Sequence, residues 1–176
     1  MAVGNLEFIH KETISASTSS VSIDNVFSSK YDVYKITING VSTAGTTGTF
    51  LAIRFIDNAG SVISDLEYDW ADLEMRSDTI FSNDNDIGVS FMRMNGVTDQ
   101  SPESMGANVN IYNPYDSSSY TFINGQSSGI TTNLRGGKNI GVHKVAETIR
   151  GFAVIETNGS RPFDSGTVSV YGLASN

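Results

Sequence analysis

Two histidines, His10 and His143, are the residues of this chain best suited to ligate a transition metal or shuttle a proton, and there is no cysteine to assist them. A zinc site needs several His, Cys or carboxylate ligands at fixed spacings. The two histidines stand far apart in no such motif, so neither a metal nor any other cofactor is expected. Serine is abundant, but no G-x-S-x-G elbow is present and neither histidine has a recognisable triad setting. The stretch Leu134-Arg135-Gly136-Gly137-Lys138-Asn139-Ile140-Gly141 has the glycines and cations of a phosphate cradle without its spacing, and reads as a turn whose glycine pair supplies positive backbone angles. Asn83-Asp84-Asn85-Asp86-Ile87-Gly88 offers Asp84 and Asp86 as hard oxygen ligands, yet lacks the third ligand and the closing Glu of a calcium loop, and reads as a solvated turn. No catalytic set emerges, and the chain is expected not to be an enzyme.

What remains is apolar and aromatic. Trp70, Tyr112, Tyr115 and Tyr120 lie near polar segments, where an aromatic with amide neighbours stacks on a sugar ring or anchors a subunit contact. Leu6, Phe8 and Ile9 are the apolar residues of an N-terminal arm or first strand that could reach a neighbouring subunit.

The elements that must position these residues read as strands. From Tyr31 to Val41 the residues Tyr34, Ile36 and Ile38 alternate with Val33, Lys35, Thr37 and Asn39, one apolar face against one mixed face. Phe50 to Ile56 is nearly continuous apolar sequence, as in a strand covered on both sides. Similar runs cover 87–94, 107–112, 120–124, 152–157 and 167–173. Shorter ones cover 6–9, 21–23, 62–68, 130–134 and 140–145, for roughly eight to eleven strands, the range of an antiparallel β-sandwich. At most one or two short helices are expected, the candidate being Asp69 to Met75, with Asp69 as cap and Trp70 and Leu73 on one side. Asn95 to Gly106 reads as a long exposed loop, and the Ser- and Thr-rich segments 15–20, 42–49 and 117–119 as connectors. Residues 1–20 form an N-terminal strand or arm and 21–176 the sandwich.

Charge and composition narrow the partners. The formal net charge is −8, with 17% charged residues; no cluster of Lys and Arg could neutralise phosphates, so nucleic acid is excluded as a partner. No stretch approaches the ~20 apolar residues of a membrane span, and the first residues lack a basic-then-apolar leader, so a soluble chain made in the cytosol, with no membrane insertion, is expected.

Several stretches together resemble a family of tailed-bacteriophage virion proteins found in phages of aquatic bacteria. They are Val21 to Ile38, with a phenylalanine leading into a turn and a Tyr-x-x-Tyr strand; Leu51 to Ser61; Val109 to Tyr115, with its Asn-Pro end, followed by Tyr120-Thr121-Phe122; and Gly151 to Ile155 with Gly166 to Gly172. The resemblance implies a jelly-roll-like sandwich on the virion, made in the host cytoplasm, with no active-site residues. It points to a capsid cement or decoration subunit, acting as a homo-oligomer, with a trimer favoured by shell symmetry, on major capsid or tail proteins. The alternative is a tail-fibre or spike head that binds host surface glycans. Residues 68 to 105 depart from that family's pattern and are the segment expected to hold any special binding function.

Overall fold

Alternating burial runs through the strands that the alternation predicts. In β3 (Val33–Thr43), Tyr34, Ile36 and Ile38 are buried while Val33, Lys35 and Thr37 remain half-exposed, because successive side chains of a strand point to opposite faces. The computed structural model describes residues 5–15, 17–45, 48–78, 81–98, 102–130, 133–159 and 161–174, with only the backbone of 95–98. Among these, twelve strands form and no helix does: β1 (Leu6–Thr13), β2 (Ser20–Ile23), β3, β4 (Thr49–Asp57), β5 (Tyr68–Arg76), β6 (Ser82–Val89), β7 (Met92–Thr98), β8 (Met105–Tyr112), β9 (Thr121–Ile130), β10 (Leu134–His143), β11 (Ile149–Glu156) and β12 (Phe163–Leu173). Consistent with that, no helix is long and apolar enough to cross a membrane.

The strands make two antiparallel sheets, ordered β1-β12-β3-β8-β9-β10-β5-β6 and β2-β11-β4-β7. Setting β5, β6, β9 and β10 aside leaves β1-β12-β3-β8 facing β2-β11-β4-β7. In that set the first strand pairs with the last, the second with the next to last, and so inward. This is the rolled-up hairpin of an eight-stranded jelly roll. The remaining strands are two hairpins, β5–β6 inserted between β4 and β7 and β9–β10 between β8 and β11. They join side by side and extend the larger sheet beyond β8.

The jelly-roll core is aromatic and aliphatic. Tyr34, Ile36, Phe55, Phe152, Phe163, Val168 and Val170 are fully buried between the sheets, each contributing roughly 1.5–3 kcal/mol of burial for a side chain of that size. Phe27 stacks on Phe152 at 5.8 Å and tilts against Tyr34 at 4.6 Å. The Tyr34 hydroxyl accepts from the Ser28 amide at 2.7 Å and donates to the Ser28 carbonyl at 2.9 Å. The Phe27 turn and the Tyr31-x-x-Tyr34 strand thus close one end of the sandwich.

Several expectations are corrected. Asp69 to Met75 is strand β5, not a helix: Tyr68, Trp70, Asp72 and Glu74 alternate inward against Ala71, Leu73 and Met75 outward, and pairing to both β6 and β10 settles the period. Residues 134–141 are strand β10 rather than a turn. Gly136 and Gly137 lie outside the positive-φ glycines, and Gly141 matters for close approach, since a Cβ there would stand 2.8 Å from the Met92 sulfur. Residues 83–88 lie in edge strand β6. The 87–94 run is split at Ser90 and Phe91 between β6 and β7, and β7 continues to Thr98 into the segment read as a loop; residues 99–101 lie outside the described residues. Val62 makes an isolated bridge to Ile56 instead of a strand over 62–68. The 130–134 run falls where β9 ends and β10 begins, with 131 and 132 outside the described residues, as are 16, 46 and 47 of the Ser- and Thr-rich connectors.

Candidate functional site

The strand registers align the outer face of the eight-stranded sheet in rows. At one end of the strands, Leu6, Leu173, Val33, Tyr112, Phe122 and Val142 stand directly opposite one another in turn, and the row is completed by Asp69 and Ile87. It crosses all eight strands, roughly 34 Å at about 4.8 Å per strand. The next row runs Phe8, Tyr171, Lys35, Asn110, Asn124, Ile140, Ala71 and Asn85; the one after it Lys11, Ser169, Thr37, Asn108, Gln126, Lys138, Leu73 and Asn83. Phe8 packs edge-on against Tyr171 at 5.8 Å. Over the jelly roll, therefore, the face turns from apolar at its rim to amides, hydroxyls and lysines further in. The Asn110 side chain donates to Asn124 at 2.9 Å, and Asn124 donates to the Tyr112 hydroxyl at 3.0 Å. A groove of about 710 Å³ lies over this part, lined by Lys11, Thr37, Asn108, Gln126 and Ser169 among others.

Over the extension the outer face is apolar. Outward stand Leu73, Met75, Ile87, Phe122, Ile130, Leu134 and Ile140, with Ile87, Ile140 and Leu73 exposed to 72%, 62% and 60%; a second groove of about 610 Å³ runs between Ile87, Ile140, Val142 and Phe122. Inward, where β7 lies across β9, β10 and β5, the buried polar residues Asp72, Glu74, Thr121, Ser127, Asn139 and His143 stand among Tyr68, Trp70, Ile123, Met92 and Met94 of the hydrophobic core. Arg93 of β7 organises this side. Its guanidinium bonds Asp72 at 2.7 Å and Asp84 at 2.8 Å and lies 4.2 Å over the Trp70 ring and 4.4 Å over the Phe50 ring. Burial holds the Asp72 carboxyl above the usual range, against the downward pull of Arg93. Trp70 Nε1, Asp72 Oδ1, Ser127 Oγ, Arg135 Nε and Asn139 Nδ2 are buried without a hydrogen-bond partner among the described residues. A sheet that encloses Asp72 and Glu74 within its core while exposing Leu73, Ile87 and Ile140 lacks the usual polar exterior. Contiguous exposed apolar surface of that kind marks a contact.

Charge distinguishes the outer face further. Its three rows carry Lys11, Lys35 and Lys138, none of which forms an ion pair among the described residues, and one carboxylate, Asp69, already bound to Lys144 at 2.7 Å. On a chain of net charge −8 this face is locally positive.

At the root of the extension, His143 is fully buried at the end of β10. Its Nε2 lies 3.1 Å from Glu67 Oε2 and 3.7 Å from Glu147 Oε1. The Tyr68 and Phe55 rings flank the imidazole with centroids at 4.9 Å and 6.0 Å. Burial, with Glu67 and Asp57 nearby, pushes the Glu147 carboxyl up, against the pull of His143. His10 is elsewhere, on edge strand β1 beside Glu12 at 3.2 Å.

The structure therefore gathers Leu6, Phe8 and Tyr112 on one face. Tyr115 and Tyr120 are exposed in the β8–β9 loop, between the row residues Tyr112 and Phe122. Two candidates are placed otherwise: Ile9 is partly buried against the core, and Trp70 is 7% exposed on the inner face under Arg93. Residue spacing missed Leu73, Ile87, Phe122 and Ile140; for Leu73 the signal was the Ala71-x-Leu73-x-Met75 alternation opposite Asp72 and Glu74. It also missed Glu67 and Glu147; the His143-x-x-x-Glu147 interval was the one local hint. No protein-family model matches the chain, and no curated protein matches it.

Proposed function

We propose that the protein is a non-catalytic structural subunit of a bacteriophage particle, a cement or decoration protein that docks through the outer face of its extended sheet onto the major capsid protein. The observation that carries this reading is the extension, which leaves leucine, isoleucine and phenylalanine outside while enclosing Asp72, Glu74 and Arg93. Exposed apolar surface at this density gains most when another protein covers it, and an interface of about 1,600 Å² in total is the size that suffices for specific attachment. Lysines 11, 35 and 138 select the occupant: a second copy packed face to face would bring lysine against lysine, whereas an acidic and apolar surface complements them. A homotrimer of the kind that the family resemblance implies then uses other surfaces. The test is a density map of the particle together with copy number per virion. Copies that scale with the shell, contacting it through Ile87, Ile140 and Phe122, support the reading, and copies confined to the tail sink it.

A second reading, a head that binds host surface glycans, is favoured by the Asn108, Asn110, Asn124 and Gln126 amides beside Tyr112 and the three lysines. Amides and hydroxyls over a flat sheet match the hydroxyls of a polysaccharide, and the lysines match an acidic one. Binding on a glycan array that is lost in Lys35→Ala and Tyr115→Ala would favour this reading over the first.

A further inference from the structure

We propose that Glu67, His143 and Glu147 form a binding site for a divalent transition cation of the zinc class, which pins the extension to the jelly roll. Three ligand atoms, the imidazole Nε2 and one oxygen from each carboxylate, lie within 4.8 Å of one another. The two distances from Nε2, 3.1 Å and 3.7 Å, bracket the edge of roughly 3.3 Å between ligands that each stand about 2.0–2.1 Å from a tetrahedral zinc ion. For all three to share one centre, the two carboxylate oxygens, which lie within 4.8 Å of each other, must stand at that same edge. Both carboxylate side chains are about one-third exposed, at 34% and 33%, so a fourth position opens to solvent.

Charge balance points the same way. Among the described residues, neither Glu67 nor Glu147 has a lysine or arginine partner; the nearest lysine, Lys144, is committed to Asp69. Two carboxylates thus share one imidazole, and a neutral imidazole has a single proton to offer on Nε2. A divalent ion compensates both; the single proton of the neutral ring then sits on Nδ1, which is buried with no acceptor among the described residues, and the Nε2 lone pair is left for the metal. An imidazole ligand selects against calcium and magnesium, which take oxygen donors.

The position gives the site its consequence. Glu67 lies immediately before β5, where one inserted hairpin begins, and His143 and Glu147 lie where the other returns to the jelly roll. The two segments already meet through the Lys144 amide, which donates to the Glu67 carbonyl at 2.9 Å. A cation there ties both roots at once, fixing the angle at which the outer face of the extension is presented.

The experiment uses the full chain, stripped with chelator, titrated with zinc chloride by calorimetry and with cobalt(II) chloride by visible absorption. One ion per chain, the intense bands of low-coordinate cobalt, and a higher thermal midpoint with zinc than without it are expected. Glu147→Gln, on a side chain one-third exposed, leaves the metal-free midpoint within a few degrees of wild type and weakens zinc at least tenfold, and Glu67→Gln does the same. His10→Ala leaves binding unchanged. Absence of binding to wild type overturns the proposal. So does binding that survives in both glutamine variants or disappears in His10→Ala. A midpoint that responds to pH alone, with no response to either metal, also overturns it, because the trio is then an imidazolium held between two carboxylates. Since the particle is not involved, failure here leaves the docking reading untouched.

Discussion

The jelly roll and its four-stranded extension share one continuous eight-stranded sheet, yet they distribute polarity differently. In the jelly roll, Tyr34, Ile36, Phe152 and Val170 point inward against a complete second sheet, and Lys35, Thr37 and Ser169 point out. In the extension β7 lies across the inner face, and there Asp72, Asn139 and the Arg93 guanidinium are enclosed beside Tyr68, Trp70, Ile123 and Met94, while Leu73, Ile87 and Ile140 point out. The difference teaches where each region gets its stability. The first is held by excluded water between two layers; the second adds cross-strand pairing and a charge network to a narrower core of Tyr68, Trp70, Ile123, Met92 and Met94, and leaves an apolar outer face exposed.

The largest expected effect breaks the jelly roll. Phe152→Ala removes a fully buried ring stacked on Phe27 and is expected to cost about 3–5 kcal/mol, measured by urea denaturation; a loss under about 1 kcal/mol would mean that the two sheets do not share this core. Next comes Arg93→Ala, which leaves Asp72 buried, its side chain 1% exposed, without its cation. A loss of roughly 3 kcal/mol is expected, and its pH dependence sharpens the contrast. Because burial already raises Asp72 in the folded state, its proton is bound more tightly folded than unfolded. Protonation therefore favours the native state, so the deficit of the variant is largest near neutrality and shrinks as pH falls through the folded Asp72 value.

Smaller effects follow at the surface. Arg150 forks onto Asp24 with Nε–Oδ1 at 2.7 Å and Nη2–Oδ2 at 2.5 Å, joining β11 to the turn after β2. That hydrogen bonding holds the Asp24 carboxyl below its usual range. The contribution is therefore present above the unfolded carboxyl value and lost as pH falls through the folded one. Arg150→Ala is expected to lower the denaturation midpoint slightly at neutral pH and to converge with wild type in acid; a constant gap at all pH values would refute the pairing. The smallest effect on the isolated chain belongs to the outer face of the extension. Ile140→Ser is expected to change stability by no more than about 0.5 kcal/mol while sharply reducing occupancy on particles, read by copy number. Unchanged occupancy would mean that this face is not the contact.

How much of this was legible differs between the regions for a physical reason. The jelly-roll strands carry a clean period of two, with Tyr34, Ile36 and Ile38 on one side, so type and inward face follow from the residues. β5 mixes polar and apolar residues on both faces, and Asp69 with Trp70 and Leu73 imitates a capped helical turn, so local pattern is ambiguous. β6 and β10 are rich in Asn, Asp and Gly, residues of low strand propensity. They are strands because neighbours pair with them, which is tertiary context overriding local preference.

By itself the residue order determined an antiparallel sandwich, the inward side of strands such as Tyr34-x-Ile36-x-Ile38, and an acidic overall charge of −8. Those properties are local, set by alternation and composition. Only the tertiary structure decided that Leu6 and Ile87 would end one row across eight strands, that the apolar side of β5 would face out, and that Glu67 would meet His143 and Glu147. Register between segments many tens of residues apart is set by hydrogen bonding across the whole sheet, and a shift of one residue would have sent each of those side chains to the opposite face.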